Sequence, residues 1–467
     1  MNIVFKAFIE GDGYFIYDRN TNKILSVPES DYKVLTTSVD LENKSVVLQK
    51  YQSRGFLLES RLEKIKHPIN DFLQTFEDEK VTQLILQVTQ DCNLRCSYCY
   101  YVNEDYRNRH HSKLHMDTAL AYKAMDYLLL HSAGKNEITL GFYGGEPLIK
   151  FDLIKECVHY MEANVQDRKV LFTLTTNGTL LTDEIVEFFI EHNVALLISL
   201  DGTKDTHDKN RVFANGKGSF DVVMQKVAHI KNKYPDFFKK LYFNTVISPE
   251  MDMACVREYY SANDVLEDAH FTSSTIQEFY TDNPVEYDDR LFIDSQFGEF
   301  QALLACAGRL KNTDVPLVYT GEISDITKMM QNLHTDFLLP SEYHHGGPCI
   351  AGSRRLFVDV TGNFYPCERV SESSETMHLG SLETGFQIEK AKAIMNVGSV
   401  TEKQCKSCWS LVHCRMCAAW ADNLNGFDKD KKLAACPIYQ RSVIHRFKNI
   451  CALKHFANSS IVRKVGK

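Results

Sequence analysis

The stretch Asp91-Cys92-Asn93-Leu94-Arg95-Cys96-Ser97-Tyr98-Cys99-Tyr100 decides the reading of this chain. Its three cysteines, Cys92, Cys96 and Cys99, are spaced C-x3-C-x2-C and follow an apolar run, Leu84-Ile85-Leu86-Gln87-Val88, of strand character. Three thiols on one short loop make a poor disulfide set, because one is always left over. They make a good set for three irons of a four-iron cluster, with the fourth iron left open. A zinc loop, or chance clustering of buried thiols, is the competing explanation.

Working outward, 467 residues leave room for roughly three domains. A composition of 44% hydrophobic and 24% charged residues allows a large core and requires no disordered part. The formal net charge of −8, with no basic block, argues against a nucleic-acid partner. The opening MNIVFKAFIEGDGYF lacks the basic head and long apolar core of a signal peptide. No apolar run approaches the roughly 20 residues of a membrane span, so no membrane partner is expected. A cytoplasmic protein is expected, and there thiols stay reduced. Ten of the fourteen cysteines fall into tight groups, which in a reducing compartment points to metal.

Three regions follow from the rhythm of the chain. Residues 1–78 show strand-like segments at Val4–Phe8, Tyr14–Tyr17 and Lys23–Val27, with Gly11-Asp12-Gly13 as a turn. Ser30-Asp31 is expected to cap a helix, a second helix to cover Val46–Ser53, and Gly55–Leu58 to return as a strand. Residues 62–80 read as a charged linker with some helix. Over 79–310, strands at Gln83–Val88, Glu137–Tyr143, Val170–Thr175, Val194–Leu200, Leu241–Ile247 and Ala269–Ser273 alternate with helices at Met116–His131, Ile149–Val165, Asp183–His192, Ser219–Tyr234 and Asp252–Asn263. Such alternation implies parallel strands with crossover helices, in six units. Residues 276–340 hold a helix at Leu291–Leu310 and an uncertain loop region. Residues 311–467 are cysteine-rich from His344 and close with a basic helix, about Ile438–His455, and a polar tail.

In parallel α/β sheets ligands sit beyond the carboxyl ends of the strands. The cysteine loop follows the first strand. The second ends in Gly144-Gly145-Glu146-Pro147, where backbone without Cβ allows close approach and Glu146 can accept from a cationic amine. The third ends Thr175-Thr176-Asn177-Gly178 and the fourth Ser199-Leu200-Asp201-Gly202, followed by His207-Asp208 and Arg211. Turn capping is the plain alternative for Asn177 and Asp201, and a surface charge for Arg211.

C-x3-C-x2-C with Tyr98 directly before its last cysteine, and GGEP one strand later, resembles the signature of the radical S-adenosylmethionine (SAM) enzymes. The resemblance implies a partial (β/α)6 barrel and a four-iron cluster on Cys92, Cys96 and Cys99. It also implies SAM bound with help from Tyr98, Gly144, Gly145, Glu146, Asn177, Ser199, Asp201 and Arg211. Cleavage of SAM by one cluster electron then yields a 5′-deoxyadenosyl radical that takes a hydrogen atom from substrate. Such a cluster needs an electron donor, a flavodoxin or ferredoxin.

Seven further cysteines read Cys349-x12-Gly362-x4-Cys367, then Cys405-x2-Cys408-x5-Cys414-x2-Cys417, with Cys436 eighteen residues beyond. A zinc-ribbon pair is one explanation. The array resembles the SPASM domain of peptide-modifying radical SAM enzymes, although the Cys414–Cys417 interval is one residue short of the usual three. The resemblance implies two auxiliary four-iron clusters, three clusters in all. Cys405, Cys408, Cys414 and Cys436 would close a distal cluster; Cys349, Cys367 and Cys417 would hold a proximal one. Two closed clusters need eight thiolates. Sulfatase-maturing relatives, which this layout resembles, carry an extra cysteine a few residues upstream of the first; here that place, Tyr343 to Pro348, has His344 and His345 but no cysteine. Either a histidine fills the site or it stays open for a substrate thiolate. Glu368, beside Cys367, is a candidate base. Cys157 and Cys306, in amphipathic helices, are read as core.

The N-terminal α+β unit, placed ahead of such a core, resembles the winged-helix element that grips leader peptides of ribosomally made natural products. Its plain alternative is a cap on a barrel end. Together the resemblances imply an enzyme forming Cys-thioether crosslinks in a ribosomally made precursor peptide. The alternatives are an anaerobic sulfatase maturase making formylglycine, a carbon–carbon crosslinking maturase, or a non-catalytic iron–sulfur scaffold.

Overall fold

The computed structural model describes residues 2–37, 41–99, 101, 110–166, 168–266, 269–281, 285–287, 289–311, 315, 319–334 and 336–456. Tyr100 and the polar tail after residue 456 lie outside these. A three-stranded antiparallel sheet comes first, β1 (Phe5–Glu10), β2 (Gly13–Asp18) and β3 (Lys23–Val27), in that spatial order. Helices Glu29–Thr36 and Leu41–Gln52 cover it, closing a core of Ile16, Val27, Leu35, Tyr51 and Leu57.

This unit departs from expectation in three places. The first helix starts at Glu29 behind Pro28, with no side-chain cap from Ser30 or Asp31; the carboxylate of Asp31 instead receives Lys50 and Tyr51. The second helix begins at Leu41, five residues before Val46. Gly55–Leu58 is not a strand. Leu57 sits at φ 51°, a left-handed backbone incompatible with a ladder, and its N–H donates to Asp18 at 3.2 Å.

After β4 (Lys64–Ile65) and a helix Leu73–Glu79, the sheet that positions the site begins. Its strands are β5 (Gln83–Thr89), β6 (Glu137–Gly144), β7 (Lys169–Thr176), β8 (Val194–Ser199), β9 (Tyr242–Ile247) and β10 (His270–Thr275). All five successive pairs are parallel. Each predicted strand agrees with these bounds within two residues. Crossover helices Thr118–Leu130, Phe151–Asn164, Asp183–Glu191, Phe220–Lys233 and Met253–Ala262 bury the sheet between layers. β5 has both faces covered, which is why Leu84, Ile85, Leu86 and Val88 run without alternation.

Beyond β11 (Glu342–Tyr343), the sheet continues past β5 with β12 (Leu356–Val358), parallel to it, and β13 (Phe364–Tyr365), antiparallel to β12. The cysteine-rich region is therefore built onto the edge of the barrel beside the first strand. Helices Asp289–Cys306 and Thr320–His334 precede it; the second replaces what reads from sequence as loop. The last helix runs Lys429–Phe456, starting nine residues before Ile438. Cys157 is buried in the core as expected, whereas Cys306 at its helix end is only half-buried. Among the described residues no helix is long and apolar enough to cross a membrane.

Candidate functional site

The carboxyl ends of β5 to β10 surround a cavity of about 290 Å³. Cys92, Cys96 and Cys99 line it, with Tyr98, Gly144, Gly145, Glu146, Asn177, Ser199 and Arg211. Burial pushes the Cys96 thiol up to about 12 and raises Cys92 further, with Glu146, Cys96 and Cys99 adding their charge to the latter. Buried thiols that oppose one another's ionisation suit a bound cation, which takes the place of their protons. The donor set therefore fits an iron cluster.

The loop carrying these thiols is pinned from two sides. Arg95 N–H donates to Val212 O at 2.7 Å and Ser97 N–H to Asn210 O at 3.0 Å. On the other side Gly145 N–H donates to Thr89 O at 2.9 Å and Glu146 N–H to Asp91 O at 2.8 Å. A Cβ on Gly145 would lie 2.0 Å from Asp91 O, so only glycine lets the GGEP turn close on the loop.

Glu146 lines the cavity and is also bonded within the protein. Its carboxylate accepts from Thr176 Oγ1 at 2.6 Å, Leu148 N at 3.1 Å and Asn177 N at 2.8 Å. These bonds tie β6 to β7 and start the Pro147–Lys150 turn; most of the carboxylate's lone pairs are spent inside the protein. Burial raises it to about 7. Gly144, Gly145 and Glu146 all face the cavity at this turn.

Asp201 does not line the cavity. It is fully buried and holds Arg211 through Nε at 2.8 Å and Nη2 at 3.3 Å, while accepting from Val246 N at 2.9 Å and from the Tyr98 hydroxyl. Arg211 is a buried cation under the Tyr98 ring, 5.4 Å from its centroid, not a surface charge. His207 supports the pair: Asp201 N–H donates to its Nδ1 at 3.3 Å, and its Nε2 meets Ser219 Oγ at 2.9 Å, which donates to Arg211 O at 2.8 Å. Burial, with the Arg211 charge, lowers His207 to about 3, so it is neutral. Asn177 caps its turn, its Oδ1 accepting from Thr179 N at 3.0 Å, and its Nδ2 donates to Asn93 Oδ1 at 2.9 Å in the cysteine loop.

Asn244, Ser274 and Gln277 also line the cavity, from β9 and the end of β10. The strand-end rule would have found them. Glu368 and Arg369 enter from the cysteine-rich region. Glu368 is held by Arg355 Nη1 at 2.9 and 3.0 Å, so its carboxylate is ion-paired.

The seven thiols of the C-terminal array separate into two neighbourhoods. Burial, then Glu368 and Cys417, push Cys367 up to about 12; burial, with Cys349 nearby, raises Cys417. A second cavity, of about 400 Å³, is lined by Cys405, Cys408, Cys414 and Cys436. Burial, with Cys408 and Cys405, pushes Cys414 up to about 12. Neither histidine of Tyr343–Pro348 joins the first group. His344 is fixed between His345 O at 2.8 Å and Gly398 N at 2.8 Å, and His345 lines the second cavity. Among the described residues, no three His, Cys, Asp or Glu side chains converge as ligands of a single ion would.

A parallel sheet with a three-thiol loop and a glycine turn at its carboxyl edge defines a radical SAM domain, and residues 86–261 match the model of the radical SAM superfamily. That match and the site's geometry support an enzyme of the radical SAM type, and a domain of this kind implies SAM and a four-iron cluster. It is 33% identical over 162 residues to a cysteine-type anaerobic sulfatase-maturating enzyme of Clostridium novyi, a match covering 33% of this chain and only 41% of that protein. It is 24% identical over 437 residues to the radical SAM cyclopropyl synthase TigE of Paramaledivibacter caminithermalis, covering 88% of this chain and 85% of that protein. Its fold is similar to native anSMEcpe with bound AdoMet (18% identity, 81% of this chain and 100% of that chain, TM-score 0.59).

Proposed function

We propose that this chain matures a ribosomally made precursor peptide by joining a peptide cysteine sulfur to a carbon of another residue. The observation that carries the reading is the shared cavity: Glu368 and Arg369, next to Cys367 of the second array, face the same space as Cys92, Cys96 and Cys99. Radical generation and a group of thiols reserved for something else then lie on one substrate path. When bound, SAM and the four-iron cluster on the loop supply a 5′-deoxyadenosyl radical that takes a hydrogen atom from the peptide. Gly144-Gly145 backbone, Asn177, Ser199 and Arg211 orient the SAM; Asp201 and His207 hold Arg211 in place.

In this reading Cys405, Cys408, Cys414 and Cys436 bind one auxiliary cluster. Cys349, Cys367 and Cys417 bind another, with an iron left for the substrate thiolate. Thiols spread round a cavity suit a multi-iron cluster better than a single zinc ion. Glu368 would serve as base for that thiol, released from its pairing with Arg355 when substrate enters. The β1–β3 unit would grip the leader, and a flavodoxin or ferredoxin would supply the electron.

Similarity along most of the chain to a cyclopropyl synthase favours a second reading, in which the new bond joins two carbons. One experiment separates them. Reconstituted protein is incubated anaerobically with SAM, dithionite and a cysteine-bearing candidate peptide from a neighbouring reading frame. Thioether formation gives 5′-deoxyadenosine, loss of two hydrogens and a cysteine no longer alkylated by iodoacetamide. A two-hydrogen loss with the cysteine still alkylated supports the carbon–carbon reading; an aldehyde trapped by a hydrazine would show sulfatase-type chemistry. Absence of 5′-deoxyadenosine with and without peptide overturns all three.

A further inference from the structure

The cavity of Cys405, Cys408, Cys414 and Cys436 is ringed by nitrogen donors that ligand counting does not require. Lys432, only 1% exposed, places Nζ 2.6 Å from Thr401 Oγ1 and 3.6 Å from Cys405 Sγ. Its ammonium donates to a hydroxyl and a thiol. Gln440 Nε2 lies 3.6 Å from Cys408 Sγ. His345, also 1% exposed, lines the same cavity. Gly347 N–H donates to its Nδ1 at 3.3 Å, which leaves the ring hydrogen on Nε2. That Nε2 has no partner among the described residues. A buried ammonium and a buried N–H without an acceptor are both costly unless something negative occupies the space they face.

A four-iron cluster on four thiolates is negatively charged, and more so after taking up an electron. Cations and N–H donors beside it stabilise the reduced state more than the oxidised one and raise its reduction potential. We propose that Lys432 and His345, assisted by Gln440, are positioning residues that raise the reduction potential of a cluster held by Cys405, Cys408, Cys414 and Cys436. The proposal rests on the reading of those four cysteines as cluster ligands. The step is an electron uptake by the oxidised cluster, with no bond formed or broken; in the test below dithionite gives the electron.

The full chain is reconstituted anaerobically as wild type, Cys408→Ser, Lys432→Met, His345→Phe and His345→Gln. Iron and sulfide are counted, and each protein is titrated with dithionite while electron paramagnetic resonance is recorded. The signal lost in Cys408→Ser marks the distal cluster. Lys432→Met is expected to bind wild-type iron and to show about a tenfold lower reduced-to-oxidised ratio of that signal at fixed potential, about 59 mV for a one-electron couple. His345→Phe lowers the ratio by a smaller factor, and His345→Gln, which keeps an N–H, stays near wild type. Unchanged ratios in Lys432→Met and His345→Phe at full iron content overturn the proposal alone. Wild-type iron in Cys408→Ser overturns the ligand reading and the proposal with it. Should Lys432→Met lose iron, the His345 pair decides: equal ratios in Phe and Gln variants overturn the donor role.

Discussion

The two cysteine regions differ in thiol count and in the charge around them. The loop after β5 offers three thiols to a cavity where carboxylates and cations are matched, Glu146 and Glu368 with Arg211 and Arg369 on its wall. The cavity beside the last helix offers four thiols and is flanked by nitrogen donors, Lys432, Gln440 and His345. Three thiols with ligand-orienting groups make a place for a substrate-like molecule to bind metal. Four thiols with donors make a place to hold charge. The contrast teaches that the surroundings of a cysteine group carry information that its spacing does not.

The sharpest way to break this comparison is to remove one thiol from each region. Cys96→Ala should take 5′-deoxyadenosine formation, measured by chromatography, to the no-enzyme background. Cys408→Ser should leave peptide-independent SAM cleavage within about tenfold of wild type while abolishing peptide product. Equal losses in both would erase the distinction. Next in size is Arg211→Gln, which strands the buried Asp201 carboxylate. We expect a loss of about 3–5 kcal/mol in denaturant unfolding of the barrel, with no change in iron bound by the distal group.

A pH series tests the barrel and the C-terminal region together. Burial holds His207 to about 3 and His344 to about 4. Unfolded histidines take a proton near 6.5, so between about 4 and 6.5 the unfolded state binds more protons. Stability should therefore fall as pH drops through this window, by about 1.4 kcal/mol per unit of depression, and His207→Gln should flatten the trend. The smallest effect is Glu368→Gln. Its partner Arg355 is 36% exposed at the side chain, so the ion pair adds less than about 1 kcal/mol to folding. If Glu368 serves as base, product formation drops about 10²-fold or more while 5′-deoxyadenosine formation stays.

The barrel was legible because β5 to β10 are strands of six or more residues, most of them rich in apolar or β-branched side chains, with helices between them, long enough for the period to show. β12 and β13, three and two residues long, carry no period, so the extension of the sheet past β5 could not be read. Gly55–Leu58 looks like a strand by composition, but the bond from Leu57 to Asp18 turns it away. At the site, the motifs put nearly every predicted cofactor residue on one cavity. Asp201 lies behind Arg211 rather than on the cavity, because a motif reports that a carboxylate matters, not whether it faces ligand or neighbour. Lys432 lies in the run Lys429-Asp430-Lys431-Lys432, which reads as a solvated helix face. Only the fold shows one of these lysines turned inward.

Arg19 carries a further consequence. It is fully buried in the N-terminal unit, yet its Nη1 donates to Lys406 O at 2.6 Å and Cys408 O at 3.2 Å, while Nη2 meets Ser60 Oγ at 2.5 Å. Phe8 and Tyr17 lie against Phe447 beside it. The small sheet is thus latched to the main-chain carbonyl of a thiol in the distal group. Anything that fixes that carbonyl also fixes the latch, and the two free energies are shared. Metal-loaded protein should protect β1 to β3 from proteases and from amide exchange more than stripped protein does. Only a fully assembled copy would then hold its N-terminal unit firmly.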